Sequence, residues 1–408
     1  MKKSLFNPFT REFRSNPYKT YALLQQAPPE FSLGMWIFTR YSDVMAVLKD
    51  GRFSSALVPQ IAEKKMTEFS MICPEVTQLG LKSIVFTDNP DHARLRRLTN
   101  LVFNASNITA VLKPVIAKLA HDLCEEVANS QSVEIIAALA EPLPLRTLTS
   151  WMGLPDETGV KIKQWTNDVR YFLEPGVVSK QRFQESYRSL MEFMAFFRAE
   201  IQHRRKFGSD DFIGMLLAAK QDDDVLTEDE IIYACIMAFV AGSETTKALL
   251  GNTTLLFALH PDQLQLVHEG RVTIQNAANE LFRCESPLQM TKRLCLEDLT
   301  IAGVQMARGD QVLLCMGAAN HDPSVFAEPE KFLVDRPNSY QHIAFGYGFH
   351  SCLGAYLAQL QIEAYLNEIV SRRMAFSFDR EPEWIDHALI LRGLKRLDVA
   401  VSVGVGVQ

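Results

Sequence analysis

The stretch AFGYGFHSCLGAYLAQL, residues 344–360, places glycines, a histidine and a cysteine directly ahead of a helical pattern. Gly346 and Gly348 permit a positive φ or a close approach of the backbone, and Phe345 supplies an apolar wall. Cys352 falls just before the predicted helix, whose N-terminal dipole favours a thiolate. The stretch therefore predicts a loop that presents one reactive thiol.

The complete spacing F-x-x-G-x-x-x-C-x-G is what makes this loop informative. An isolated Cys-x-Gly would be interpreted as a buried cysteine in a glycine-rich turn. The full pattern, with His350 two residues before Cys352, is far more specific and favours a functional site. Gly354 leaves the helix surface bare beside the thiol, as if a flat group lay against it.

Composition excludes several classes of protein. The chain has 408 residues, 47% of them hydrophobic, and a net charge of −6, which argues against a nucleic-acid partner. Its seven cysteines form no C-x-x-C pair, so neither a disulfide framework nor a zinc site is indicated. The N-terminus lacks the apolar segment of a signal peptide, and the longest apolar run, residues 231–241, is too short to span a membrane. We expect a cytoplasmic protein without a membrane partner.

No repeat, low-complexity tract or linker marks a boundary, so the chain is predicted to form a single domain over residues 1–408. Helical periods dominate. Helices are predicted over residues 17–26, 42–49, 92–103, 107–128, 158–173, 179–205, 261–269, 273–284 and 353–372. Strands are predicted over residues 35–39, 299–303, 310–315 and 397–403. Residues 320–350 have no period, and irregular segments of this length usually hold a site.

The longest predicted helix carries a second unusual segment. Thr227 to Glu230 form a capping-box sequence, and the apolar pattern continues to Leu259, before a His-Pro pair. In the middle lies AGSETT, residues 241–246. Gly242 costs roughly 0.5–1 kcal/mol relative to alanine there, which indicates a function for the segment.

Together, these residues resemble the cytochrome P450 family, whose haem-binding signature is similar to FGYGFHSCLG here. The resemblance implies a mainly α, triangular single domain with a small β-rich region. It implies haem b (iron protoporphyrin IX), with Cys352 as the axial ligand of the iron. Phe345, Gly348 and Gly354 would surround the haem on that side. Phe349 departs from the family pattern, which disfavours phenylalanine at this position, but removes no ligand.

Glu280 and Arg283 form an E-x-x-R pattern on a predicted helix, where i,i+3 spacing places them on one face. Taken alone, the pair would be interpreted as a surface ion pair worth less than about 1 kcal/mol. In the P450 family such a pair holds the long loop before the cysteine, together with an arginine of that loop. Arg336 is the candidate for this third residue.

The sequence DHARLRR, residues 91–97, places His92 and Arg96 one helical turn apart. A solvated basic helix remains an alternative. The resemblance implies that four side chains bind the haem propionates: His92, Arg96, Arg293 and His350. Charge-assisted hydrogen bonds suit such carboxylates. Arg94 and Arg97 would contribute to a basic patch for an acidic electron donor.

The AGSETT segment resembles the oxygen-activating part of the family. Ala241 and Gly242 would lie beside the haem, with Gly242 baring the backbone for dioxygen. Thr245 would offer its hydroxyl to the oxygen, and Glu244 would relay protons from solvent. The alternative is a polar turn in a kinked helix, with Thr245 bonded to its own backbone.

The implied function is a monooxygenase that inserts one atom of O2 into an apolar small molecule, such as a polyketide, peptide or terpenoid secondary metabolite, free or bound to a carrier protein. Electrons would pass from NAD(P)H through a separate ferredoxin reductase and ferredoxin to a monomer. The candidate substrate-pocket residues, each of which could equally be core, are Val85, Phe86, Met237, Ala238, Leu288, Gln289, Leu389 and Ile390. Two alternatives are a peroxide-driven peroxygenase and a haem-binding or carrier-docking protein without turnover.

Overall fold

The computed structural model describes residues 5–172, 179–386 and 388–404. It is 56% helical, which confirms the mainly α fold expected from the sequence. The helices are α1 (Arg11–Ser15), α2 (Tyr18–Leu24), α3 (Tyr41–Lys49), α4 (Leu57–Phe69), α5 (Pro74–Lys82), α6 (Asp91–Asn100), α7 (Ala105–Ala128), α8 (Pro142–Trp151), α9 (Gly159–Val169), α10 (Lys180–Phe207), α11 (Phe212–Ala218), α12 (Glu228–Leu259), α13 (Pro261–His268), α14 (Ile274–Cys284), α15 (Met316–Ala319) and α16 (Ala355–Ser371).

The strands are short and most lie late in the chain, as expected. They are β1 (Glu30–Ser32), β2 (Met35–Phe38), β3 (Phe53–Ser54), β4 (Ser132–Glu134), β5 (Lys220–Gln221), β6 (Asp224–Val225), β7 (Thr291–Cys295), β8 (Leu299–Ile301), β9 (Val304–Met306), β10 (Gln311–Leu314), β11 (Met374–Ser377), β12 (Glu383–Trp384), β13 (Leu394–Arg396) and β14 (Asp398–Val403). The helices α1, α4, α5, α8, α11 and α15 and the strands β1, β3–β7, β9 and β11–β13 were not predicted from the sequence. The predicted end of a helix at residue 173 lies outside the described residues.

The chain divides into two compact units, each built from separated stretches. The first comprises Met1–Phe53, Ile116–Leu143 and Thr245–Gln408, and the second Ser54–Val115 and Pro144–Glu244. Because neither unit is continuous in sequence, the division could not be predicted from a linker in the sequence. Within the described part of the chain, no helix combines the length and the apolar character that crossing a membrane requires.

The first unit contains the main sheet, in which strands β1, β2, β10 and β7 are consecutive neighbours. Strand β10 runs parallel to β2 and antiparallel to β7. Residues of β2, β10 and α3 bury their apolar side chains in one cluster, which includes Phe38, Val47 and Val312. The late strands therefore acquire a core partly from residues near the start of the chain.

The N-terminus of α12 has the geometry that its sequence predicts. The backbone N–H of Thr227 donates to Glu230 Oε2 at 2.8 Å, and the N–H of Glu230 donates to Thr227 Oγ1 at 3.3 Å. This reciprocal pair is a capping box, which satisfies N–H groups that a helix start leaves without partners. The helix then runs 32 residues to Leu259, the predicted end.

In the second unit, Arg94 of α6 binds the segment at the start of α12. Its Nη1 donates to Glu230 Oε1 at 2.7 Å, its Nε to Asp224 Oδ1 at 3.1 Å, and its Nη2 to the carbonyl of Val225 at 2.9 Å. Arg97 also pairs with Asp224, at 3.2 Å. The expectation that Arg94 and Arg97 form a basic patch is therefore wrong, because nearby carboxylates neutralise both side chains.

We expect Arg94→Ala to lower the free energy of unfolding by about 1–3 kcal/mol, because it leaves a mostly buried Glu230 carboxylate without its guanidinium partner. Arg97→Ala should cost about 0.5 kcal/mol or less, since the Arg97 side chain is 43% exposed. Urea unfolding followed by circular dichroism measures both. Equal losses of unfolding free energy in the two variants would show that the Arg94 ion pair contributes no more to stability than the more exposed Arg97 ion pair.

Candidate active site

The loop before α16 is closed by two backbone hydrogen bonds. The N–H of Gly346 donates to the carbonyl of Ile343, and the N–H of Cys352 donates to the carbonyl of Phe345, each at 2.9 Å. Gly346 and Gly348 have φ of +67° and +73°, the left-handed conformation that the sequence suggested. The hydrogen bonds and the two glycines together turn the chain so that Cys352 follows a short helical turn.

Gly348 and Gly354 of this loop have different structural roles. A Cβ on Gly348 would lie 2.5 Å from the carbonyl oxygen of Leu48 in α3, so a side chain there would force the backbones apart. Gly354 has an ordinary φ, and a Cβ on it would meet no other atom within 4 Å. Gly354 thus keeps the start of α16 free of side-chain atoms beside Cys352.

Cys352 differs from every other cysteine of the chain in its accessibility. The other six are buried, whereas Cys352 is exposed. Burial raises the pKa of thiols such as Cys124, Cys235 and Cys315. Those six are core residues, as the sequence suggested for most of them, and Cys352 is the exposed thiol.

The donor set at Cys352 fits a haem iron. Across the described residues, no group of three or more His, Cys, Asp or Glu side chains comes together to hold a bare metal ion. A haem iron, for which the porphyrin would supply the other donors, would need only the Cys352 thiolate from this chain.

Glu280, Arg283 and Arg336 form one buried ionic cluster in the first unit. Arg283 donates from Nε and Nη2 to the two carboxylate oxygens of Glu280, both at 2.7 Å. Arg336 Nε lies 3.1 Å from each of the same oxygens. Glu280 and Arg283 are fully buried and Arg336 is 3% exposed. The alternative of a surface ion pair is therefore wrong.

The arginines of this cluster also bind the backbone of the irregular segment before the cysteine. Arg283 donates to the carbonyls of Asn320, Pro329 and Lys331 at 2.9–3.0 Å. In addition, the N–H of Leu333 donates to Glu280 at 3.0 Å. These backbone partners carry no residue-type signature, so sequence reasoning could not have identified them.

His342 is a site residue that sequence reasoning missed. The centroid of its ring lies 5.4 Å from that of Phe282 and 5.7 Å from that of Phe345. The rings of Phe282 and Phe345 are themselves 4.6 Å apart. Burial, followed by the charge of Arg283, lowers the pKa of His342 to about 4. A neutral imidazole therefore packs behind the cysteine loop at physiological pH.

His92 and Arg96 lie on α6 in the second unit, where His92 is buried and Arg96 half-buried. Burial, followed by the charge of Arg96, lowers the pKa of His92. In the first unit, Arg293 on β7 is 8% exposed and donates to Thr291 Oγ1 at 3.0 Å. His350 is half-buried and ends the helical turn two residues before Cys352.

The AGSETT segment is helical throughout within α12. Glu244 is 8% exposed, an unusual burial for a carboxylate, while Thr245 is half-buried and Ala241 exposed. A Cβ on Gly242 would make an ordinary contact with Leu148 at 3.4 Å. Packing among the described residues therefore does not require glycine at position 242.

The substrate-pocket candidates differ in exposure. Val85 is exposed, Met237 and Gln289 are buried, and the remaining five are half-buried: Phe86, Ala238, Leu288, Leu389 and Ile390. Gln289 donates from Nε2 to the carbonyl of Ser286 at 2.8 Å and from its backbone to Ile390 at 2.8 Å. Gln289 and Leu389 line a cavity of about 30 Å³ in the first unit. That space suits a water molecule rather than a substrate.

Comparison with known proteins agrees with this geometry. The cytochrome P450 family model matches residues 160–388. The chain is 33% identical to the biotin biosynthesis cytochrome P450 of Bacillus subtilis, over 95% of this chain and 97% of that protein. It is 31% identical to the polyketide biosynthesis cytochrome P450 PksS of Bacillus subtilis, over 98% and 100%. The solved complex of P450BioI with hexadec-9Z-enoic acid ligated acyl carrier protein matches with a TM-score of 0.87 and 32% identity, over 95% of this chain and 99% of that one.

The fold, the cysteine loop and the buried ionic cluster thus define a protein of the haem-thiolate class. The chain belongs to the cytochrome P450 family. It is a haem-thiolate monooxygenase, a class of enzyme that uses haem, dioxygen and reducing equivalents.

We expect the free energy of unfolding to fall as the pH decreases from about 6.5 to about 4. In this window unfolded His342 binds a proton, with an ordinary pKa of 6.5, while folded His342 remains neutral down to about 4. Buried His321, whose pKa is lowered to about 3, acts with the same sign. Urea unfolding at pH 6.5, 5.5 and 4.5 measures the slope.

The variant His342→Asn should make this pH dependence less steep, with the part due to His321 remaining, and His203→Asn at an exposed position is the control. An unaltered slope in His342→Asn would show that His342 does not carry the pH dependence.

Proposed function

We propose that Cys352 is the axial thiolate ligand of a haem b group. The observation that carries the proposal is the exposed Cys352 thiol at the end of a loop closed by its own backbone hydrogen bonds and followed by a bare helix start. When bound, the haem activates dioxygen, and thiolate ligation favours cleavage of the O–O bond. Phe345, Gly348 and Gly354 would lie beside the ring on the thiolate side.

Four basic side chains would bind the haem propionates: His92, Arg96, Arg293 and His350. Arg96 and Arg293 are permanent cations, and such charge-assisted hydrogen bonds are stronger than neutral ones. Support comes from the burial or partial burial of all four side chains, which keeps them from being solvated surface charges. Ala241 and Gly242 of α12 would lie beside the haem, with Gly242 baring the helix backbone there.

Proton delivery is assigned to two adjacent residues of α12. Glu244 lies in a buried position of α12 and would relay protons, and the hydroxyl group of Thr245 would donate a hydrogen bond to dioxygen. The burial of Glu244 supports this role, because buried ionisable groups concentrate at functional sites. Glu280, Arg283 and Arg336 hold the loop that presents the thiolate and take no part in proton transfer.

The substrate is an apolar small molecule, presented on an acyl carrier protein. The named roles of the relatives in biotin and polyketide biosynthesis support this class, as does the complex of P450BioI with a loaded acyl carrier protein. The candidates Val85, Phe86, Met237 and Ala238 are apolar, in keeping with such a substrate. Leu288 and Ile390 remain candidates, whereas Gln289 and Leu389 are better explained as the lining of the small cavity.

The electrons are proposed to come from NAD(P)H through a ferredoxin reductase and a ferredoxin, and the enzyme is proposed to act as a monomer. We further propose that residues 1–408 form one haem domain, supported by the match of the P450BioI structure over 95% of the chain.

The carbon monoxide difference spectrum of the dithionite-reduced protein tests the ligand. The expected result is a strongly red-shifted Soret band that is absent in Cys352→Ala and retained in Cys124→Ala, which removes a buried thiol. A band typical of histidine ligation in the unaltered protein, or the same band in Cys352→Ala, would overturn the assignment.

Thr245→Ala should retain haem but lower the amount of product formed per NADPH by about tenfold or more, because proton delivery fails and reducing equivalents leave as hydrogen peroxide. Surrogate ferredoxin and reductase, with hexadec-9Z-enoic acid on its carrier protein as the probe, allow NADPH and peroxide to be measured together. Thr246→Ala, a neighbouring buried threonine, is the control. Unchanged coupling in Thr245→Ala would refute the role.

A further inference from the structure

Asn320 occupies a fully buried position at the C-terminal end of α15, where the irregular segment begins. Its Oδ1 accepts a hydrogen bond from the N–H of Ile343 at 2.7 Å, and its Nδ2 donates to Ser286 Oγ at 2.8 Å. Its backbone carbonyl accepts from Arg283 at 3.0 Å. One residue thus connects the ionic cluster, the end of α14 and the last part of the segment before the cysteine.

The orientation of the Asn320 amide follows from its partners. The N–H of Ile343 can only donate, so Oδ1 must face it. Ser286 Oγ donates its own proton to the carbonyl of Phe282 at 2.7 Å and is left as an acceptor for Nδ2. Both ends of the amide are therefore used in a way that its flipped orientation could not reproduce.

The connection continues from Ile343 to the cysteine. The carbonyl of Ile343 accepts from the N–H of Gly346, and the carbonyl of Phe345 accepts from the N–H of Cys352. Arg283 and Arg336 bind carbonyls of residues 320–331. The hydrogen bond between the Asn320 side chain and the N–H of Ile343 links this part of the segment to residue 343.

We propose that Asn320 is a positioning residue for the cysteine loop, holding Ile343 so that the following turn presents the Cys352 thiolate. The role of Cys352 as ligand rests on the proposed function. Ile343 is 2% exposed, so without Asn320 its N–H loses its partner in a place that bulk water does not reach. The loop must then shift to find another acceptor, and the thiol moves with it.

Hydrogen–deuterium exchange of the full-length protein as purified, followed on a peptide spanning residues 343–352, tests the backbone part of the proposal. Asn320→Ala should speed exchange of this peptide by about tenfold or more. Asn320→Asp retains an acceptor for Ile343 and should restore most of the protection. If Asn320→Ala does not fold, Asn320→Asp is compared with the unaltered protein instead. The peptide spanning residues 343–352 should then exchange as slowly in Asn320→Asp as in the unaltered protein.

Two matched controls remove other hydrogen bonds. Ser286→Ala deletes the partner of Nδ2 but leaves the Ile343 contact, and Asn338→Ala deletes a bond from an asparagine of the same segment to the carbonyl of Val325. Both should exchange like the unaltered protein in residues 343–352. Fast exchange in both controls, or in Asn320→Asp, or slow exchange in Asn320→Ala, would overturn the proposal.

The carbon monoxide spectrum of the haem-loaded variants tests the consequence for the thiolate. The red-shifted band should convert to an unshifted one about tenfold faster in Asn320→Ala than in Ser286→Ala or Asn338→Ala, with the haem retained. Equal rates in the three variants would overturn the positioning role. If the unaltered protein lacked the red-shifted band, the proposed function would fail, while the exchange data would still judge the contact between Asn320 and Ile343.

Discussion

The buried cluster of Glu280, Arg283 and Arg336 is the constraint on which the cysteine loop depends. One carboxylate and two guanidinium groups are removed from water, which is expensive unless nearly every donor finds an acceptor. Only the carboxylate oxygens come from α14, and backbone carbonyls of residues 320–331 provide the remaining acceptors. The irregular segment must therefore adopt the single path that places those carbonyls around the two arginines.

This constraint explains how a segment rich in proline and aspartate can be ordered without regular secondary structure. Charged partners at its beginning hold the backbone, Asn320 connects it to Ile343, and the turns at Gly346 and Gly348 complete the approach to Cys352. Each step uses a group that would be costly to leave unpaired or a conformation that few residues adopt. The loop is consequently defined by hydrogen bonding and by backbone geometry.

The distribution of cysteines illustrates the same separation between stability and chemistry. Six thiols are buried among apolar side chains, and burial makes their thiolate forms unfavourable. Cys352 alone is exposed, at the start of a helix and beside a glycine. The cysteine proposed to bind the haem is thus the one whose surroundings differ from those of all the others.

The sequence by itself determined the elements that depend on local spacing. The capping box at Thr227, the end of α12 at Leu259, the positive φ of two loop glycines and the shared helix face of Glu280 and Arg283 all follow from residues close together in the chain. The family was recognisable for the same reason, because its signature is contiguous. Local patterns of this kind predicted most of the helices.

Only the tertiary structure decided which distant groups meet. Three interactions join residues that lie tens to more than a hundred positions apart in the chain. Arg283 binds distant backbone carbonyls, the charge of Arg283 helps to keep His342 neutral, and Glu230 neutralises Arg94. Backbone carbonyls look alike in every residue, and a charge reveals nothing of its partner until the chain folds. Asn320 is the clearest case, since one asparagine in a polar loop gains its importance solely from what the fold places on each side of it.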